Sequence, residues 1–234
     1  MKFEILQHVA FEGPAVIEEW LLSRGHDYTT RDLSAGHILP TVKDFDGLIV
    51  MGGSMSVHDE SKYIWLADEK ALVLTAIQAG KKVFGICLGS QIIAECLGGR
   101  VKPGPEPEIG WFPVRFAASA MQNRFGLENL PALTAFHWHG EIFEPPRDAE
   151  LLASSQLTAC QAFSFRENVL ALLCHLEMNE VAVEKMIRFA ADDLARPGAF
   201  VQNTDELRAG CGNIAATRAF LFNLLDRFIS RMPK

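Results

Sequence analysis

The sequence predicts an α/β fold with a mainly parallel central sheet and helices on both faces. Three observations carry that expectation. Short apolar runs of buried-strand length, at residues 2–8, 47–51 and 82–86, alternate with stretches of helical period at 14–24 and about 63–79. Glycines stand where those helices should stop, at Gly25 and Gly80. The chain has 234 residues, of which 49% are hydrophobic and 22% charged, an ordinary globular composition with enough apolar surface for one large core.

Taken in order, residues 2–8 read as a strand entered directly from the first residue, and 14–24 as an amphipathic helix ended by Gly25. Residues 47–51 form a second core strand running into Gly52-Gly53, and 82–86 a central strand running into Cys87. A helical pattern follows Cys87 and is capped by Gly98-Gly99, and Pro103-Gly104-Pro105-Glu106-Pro107 reads as a breaker-rich loop. From Trp111 to about Leu173 the runs become shorter and β-like, at 151–155 and 158–165, which suggests hairpins appended to the main sheet. The late run 169–177 returns as a strand, and helices follow at 181–194 and 204–231, broken by Arg196-Pro197-Gly198. The whole chain, 1–234, is read as one domain with a helical C-terminal extension from about residue 180. The apolar stretch 219–229 of that extension packs on the sheet or offers a face to another subunit.

In such a sheet, ligands bind at the carboxyl ends of the strands, where Cys87 and Gly52-Gly53 fall. Gly85-Ile86-Cys87-Leu88-Gly89 has the form of a nucleophile elbow, a sharp strand-to-helix turn that lifts its central residue above the sheet and leaves no room for bulky neighbours. A sulfur at a helix N-terminus is favoured as thiolate, and the Leu88 N–H is placed to meet a developing oxyanion. By itself the segment also fits a small buried hydrophobe after an ordinary turn. Cys87 needs a base, and a candidate lies at His175-Leu176-Glu177. On a strand those two polar residues share a face, so the imidazole could take the thiol proton while the carboxylate fixes its tautomer. The bland alternative is a strand-end histidine with a solvent-facing glutamate.

The joint pattern resembles the class I, triad-type glutamine amidotransferases, whose nucleophile motif G-x-C-x-G-x-Q stands here as Gly85-Ile86-Cys87-Leu88-Gly89-Ser90-Gln91. Their H-P-E motif stands as His175-Leu176-Glu177, with leucine for proline. The resemblance covers most of the chain, with the glutaminase of GMP synthase, free of its synthetase domain, as the nearest flavour. It implies a flavodoxin-like fold and Cys87, His175 and Glu177 as the catalytic triad. It also implies Gly53 and Leu88 as oxyanion-hole donors, and Gly52, Ser54, Gln91, Trp138, His139 and Gly140 as substrate-binding positions. Glu108-Ile109-Gly110-Trp111 resembles a supporting loop of stand-alone members. By the same resemblance the substrate is glutamine or a γ-glutamyl compound. A separate synthetase subunit and a homo-oligomer are left open as partners.

No metal or redox cofactor is expected. His137-x-His139 would suit zinc, but the nearby chain adds no cysteine or third histidine at ligand spacing, and Glu141 alone makes a weak set. A formal charge of -7 and a pI near 5.5 argue against a nucleic-acid surface. No signal-peptide core or run of membrane-spanning length is visible, so a cytoplasmic protein is expected. Five irregularly spaced cysteines suit a reducing compartment, with Cys96, Cys160, Cys174 and Cys211 as packing residues. The chain has no G-x-x-x-x-G-K-[ST] loop with which to activate an acceptor by ATP. Three readings follow: a glutaminase or amidotransferase subunit, a γ-glutamyl peptide or amine hydrolase, and a non-catalytic binding module. An intact nucleophile, base and acid argue against the third.

Overall fold

The computed structural model describes residues 1–128, 130 and 132–230. Its scaffold is one nine-stranded sheet in the order β2-β1-β3-β4-β9-β8-β7-β5-β6. The strands are β1 (Lys2–Gln7), β2 (Asp27–Asp32), β3 (Gly47–Val50), β4 (Lys82–Ile86), β5 (Arg100–Phe116), β6 (Leu133–Glu144), β7 (Glu150–Ser154), β8 (Ala162–Phe165) and β9 (Val169–Leu172). The pairs from β2 through β1, β3 and β4 to β9 are parallel, and those from β9 onward through β8, β7, β5 and β6 are antiparallel. The sheet is therefore mixed rather than mainly parallel. What the sequence suggested as appended hairpins continues the same sheet, because β8 pairs along the whole of β9.

Every residue of β3, β4 and β9 is buried, as expected for strands covered on both faces by crossover helices. Helix α1 (Val16–Ser23) follows β1, α2 (Trp65–Gln78) follows β3 and α3 (Leu88–Cys96) follows β4. In α2 the buried Leu66, Glu69, Leu72, Val73, Ala76 and Ile77 form a stripe at helical spacing. Gly25 and Gly80 end α1 and α2 at φ 65° and 74°, a backbone that glycine adopts without strain.

Several expected boundaries shift. The breaker-rich segment 103–107 lies inside β5, where the pairing with β6 changes register between Pro103 and Glu108. That stretch has β6 on one side only, so a proline lacking its N–H is tolerated there. The run 169–177 is a strand only as far as Leu172; His175 leaves β8 and bridges to Phe136 of β6 instead. The segment 158–165 becomes a strand at Ala162. A helix not foreseen, α4 (Ala118–Phe125), interrupts the β-like middle of the chain.

Residues 181–194 form two helices, α5 (Glu180–Phe189) and α6 (Ala191–Leu194). The 204–231 segment is α7 (Thr204–Ala209), a 3-10 turn and α8 (Ile214–Ser230); Arg231 lies outside the described residues. Phe220, Leu221, Leu224, Leu225 and Phe228 of α8 join the core cluster that also holds Ile86 and Cys87, so its apolar stripe is spent within the chain. Among the described residues no helix is long and apolar enough to cross a membrane.

Candidate active site

Cys87 sits between β4 and α3 at φ 48° and ψ -110°, one of three non-glycine residues with positive φ among those described. Such a backbone is costly and persists only where neighbours hold it. Here the Cys87 N–H donates to the Leu172 carbonyl of β9 at 2.8 Å, and its own carbonyl accepts from Gln91 N–H at 3.1 Å and Ser90 Oγ at 2.6 Å. The flanking glycines have a reason beyond leaving room around Cys87. A Cβ on Gly89 would lie 2.0 Å from the Val50 carbonyl oxygen, and one on Gly85 would lie 2.6 Å from the Gly89 carbonyl carbon and oxygen. They let the first turn of α3 press against β3 and β4.

Behind Cys87, His175 and Glu177 are 3% exposed each, and Nδ1 of the imidazole meets Oε1 of the carboxylate at 2.6 Å. His175 is placed by its N–H, which donates to the Phe136 carbonyl at 2.8 Å. The Glu177 carbonyl accepts from the Val16 N–H at 3.0 Å and so ties the pair to the start of α1. Burial opposes charge on His175, but Glu177 and Cys87 outweigh it and hold its pKa well above the ordinary value. Its Nε2 and the Glu177 Oε2 have no hydrogen-bond partner. A base with one nitrogen fixed by a carboxylate and the other uncommitted is equipped to exchange a proton with a thiol and with a leaving amine.

The Gly52-Gly53 loop is held by a residue that sequence reasoning passed over. His8, fully buried at the end of β1, contacts the Gly52 carbonyl through Nδ1 at 2.9 Å and Glu69 Oε1 through Nε2 at 2.8 Å, and stacks on Trp65. The Gly52 carbonyl and the Gly53 N–H belong to one trans peptide unit and point opposite ways. Fixing the carbonyl on His8 thus fixes the direction of the Gly53 N–H. Gly53 is packed tightly, since a Cβ there would meet His8 Cβ and Leu88 Cδ2 at 2.9 Å. Its role is close approach, because its φ lies outside the left-handed region.

A cleft of about 580 Å³ opens over Cys87. Of the expected substrate-binding positions, Ser54, Gln91, Trp138, His139 and Gly140 line it, as does the expected oxyanion-hole residue Gly53, whereas Gly52 does not. The Gln91 Nε2 is committed to the Glu141 carbonyl at 3.1 Å, and Trp138 presents its carbonyl to Cys87 Sγ at 3.7 Å. Phe11 and Glu12 from the β1–α1 loop, with Met186 of α5, Ala190 at the α5–α6 junction and Asp193 of α6, supply a wall that the sequence did not reveal. No motif marks these residues; only the fold brings them to Cys87.

The expected supporting loop proves to be a buried anchor. Glu108 accepts from Ser155 Oγ at 2.6 Å, Thr158 Oγ1 at 2.7 Å and Gln161 Nε2 at 2.9 Å, and lies 3.4 Å from His139 Nε2. Glu108, His137 and His139 are the described residues whose ligand atoms, within 4.8 Å of one another, could hold a metal ion. The carboxylate enters from β5, not from Glu141 as the local sequence suggested. Its oxygens are already taken by three donors, so a cation would have to displace them. Burial lowers His139 to about 3 and His137 well below its ordinary value, which keeps both imidazoles neutral.

The chain is similar to known proteins in sequence and in fold. The model of the glutamine amidotransferase class-I family matches residues 16–189. The glutamine amidotransferase-like protein YfeJ of Salmonella typhimurium is 32% identical over 89% of this chain and 90% of its own. Gamma-glutamyl peptidase 4 of Arabidopsis thaliana is 30% identical over 83% of this chain and 78% of its own. A crystal structure of a glutamine amidotransferase from Thermotoga maritima superposes with a TM-score of 0.88 at 25% identity, covering 99% of both chains.

Proposed function

The chain belongs to the class I glutamine amidotransferase family, and from that premise we propose that it hydrolyses the γ-amide of glutamine or of a γ-glutamyl compound through a Cys87 thioester. The observation that carries this reading is the strained Cys87 elbow backed by the buried His175–Glu177 pair at 2.6 Å.

Cys87 Sγ gives up its proton to His175 Nε2 and attacks the γ-carbonyl carbon. The resulting oxyanion is met by the N–H groups of Gly53 and Leu88, with Gly53 aimed by His8. His175 then delivers its proton to the nitrogen as the C–N bond breaks, and ammonia or amine departs. A water loses a proton to His175 and adds to the thioester; the proton returns to sulfur as glutamate leaves. Glu177 orients the imidazole and steadies the imidazolium in each half.

The experiment is intact-mass spectrometry of the protein with glutamine and a panel of γ-glutamyl amides, alongside Cys87→Ala. A γ-glutamyl adduct on the wild type and free glutamate are expected, and both vanish in the variant. Absence of any Cys87-dependent adduct or hydrolysis, with or without cell extract, overturns the proposal. A second reading, a subunit delivering ammonia to a separate synthetase, predicts a glutaminase rate that rises strongly when that partner is added.

A further inference from the structure

Glu12 is a charged group of the cleft that the mechanism above leaves unused. It sits in the β1–α1 loop, half-buried, lines the cleft and has no side-chain hydrogen bond among the described residues. Its place is fixed by Gly52: a Cβ there would stand 2.2 Å from Glu12 Oε2 and 3.4 Å from His175 Cε1. Carboxylate and imidazole therefore flank one point, so Glu12 stands close to the base proposed to protonate the leaving nitrogen. The lining also includes the apolar Phe11, Met186 and Ala190 and the exposed Asp193. Asp193 is anchored by Trp138 Nε1 at 2.8 Å and acts on the charge of Glu12. Asp192 lies beside it, and among the described residues Arg196 is the one cation of the lining.

An apolar wall interspersed with carboxylates is the complement of an alkyl chain ending in an ammonium group. It is the wrong complement for an amino acid, whose carboxylate would face Glu12 in a confined, partly desolvated space. At about 580 Å³ the cleft holds more than a glutamine side chain.

Resting on the proposed γ-glutamyl chemistry, we infer that the leaving-group side of this cleft selects cationic amines, and that the favoured substrates are γ-glutamyl amides of alkyl diamines, recognised by Glu12 and Asp193. The bonds made and broken are those already described. The C–N bond opens, His175 protonates the nitrogen, and the diamine departs with its second ammonium still facing the acidic wall.

Burial pushes the Glu12 carboxyl up to about 6, against the pull of His175 and His8 and with the push of Glu177 and Asp193. Glu12 is thus anionic at neutral pH and loses its charge as the pH falls through that value.

The test compares kcat/KM, by glutamate release, for γ-glutamyl-1,4-diaminobutane, γ-glutamylbutylamide and γ-glutamylglycine, whose leaving groups are cationic, neutral and anionic. The diamine conjugate is expected to exceed the butylamide by about tenfold or more, with the glycine conjugate lowest. Glu12→Gln should pull the diamine-to-butylamide ratio most of the way to one, Asp193→Asn should lower it less, and in the wild type the ratio should shrink below about pH 6. Melting curves of both variants confirm folding, and Asp193→Asn carries the test if Glu12→Gln does not fold. A Cys87 adduct with all three substrates but a ratio near one, or a ratio unmoved by both variants, overturns this inference and leaves the proposed function standing. No adduct with any substrate overturns both.

Discussion

His8 shows how one buried side chain can govern a backbone donor it does not supply. Both its ring nitrogens face oxygen acceptors, the Gly52 carbonyl and Glu69, and both bonds form together only when the ring is protonated. Burial disfavours that charge, but Glu69 and the Gly52 carbonyl outweigh it and raise the pKa above 6.5. Deleting His8 alone would strand a buried carboxylate, so the informative variant is His8→Phe with Glu69→Leu, which removes both partners. We expect this double variant to fold, with kcat lowered by about a hundredfold and KM little changed, because a misdirected oxyanion donor weakens the transition state rather than substrate binding. The sign with pH follows from the raised pKa. The stabilisation from the His8 charge is complete below 6.5 and is lost as the pH rises through the higher native value. The wild type should therefore lose Tm relative to the double variant on the alkaline side; a constant difference would remove the charge from the account. Cys87, His175 and Glu177 were legible because the proposed nucleophile, base and acid each sit in a short motif. His8 and Glu69 were not, since their meaning lies in contacts 44 and 61 residues away along the chain.

At the scale of elements, the elbow depends on how closely α3 can approach β3. The Cβ that Gly89→Ala would add meets the Val50 backbone at 2.0 Å, and a backbone atom in mid-sheet cannot retreat as a side chain would. That substitution should destabilise the protein by about 3 kcal/mol or more, or prevent folding. Gly212→Ala, where nothing lies within 4 Å and φ is not left-handed, should stay within about 0.5 kcal/mol. Denaturant melts of the two proteins decide it, and equal stabilities would show that α3 shifts without penalty. The glycine pattern around Cys87 was readable, but only the packed structure gives its mechanical cause. Conversely, the prolines of 103–107 concealed a strand, because breaker residues are judged from local sequence while their tolerance depends on an unpaired side of β5. The mixed sheet was hidden for a similar reason: the run 151–165 fixes strand character, and strand direction is set by which neighbour β8 finds.

Across the whole molecule, Cys87 and the last helix share one core. Leu221, Leu224 and Leu225 of α8 are at most 1% exposed and belong to the cluster that includes Met51, Ile86, Cys87 and Cys174. The helix is pinned from the sheet side as well, where Lys82 of β4 donates to the Phe228 carbonyl at 2.9 Å, and from α1, where Trp20 Nε1 donates to Asp226 at 2.8 Å. The apolar run 219–229 could have served either the core or a second subunit, and these contacts assign it to the core. Leu221→Ala should then lower stability by about 2–5 kcal/mol, the usual range for a cavity in a close-packed interior. Arg218→Ala, which removes a half-exposed ion pair with Glu19, should change it by less than about 1 kcal/mol. If α8 were instead an intersubunit face, the loss in Leu221→Ala would appear as weakened association, and the Tm difference from wild type would shrink as protein concentration rises. Because the stripe is buried within the chain, the difference should be the same across a hundredfold range of concentration. Measured well below its melting temperature, Leu221→Ala should retain kcat, since the helix holds the sheet together without touching the cleft; a kcat loss in the fully folded variant would mean that α8 sets the geometry of the elbow itself.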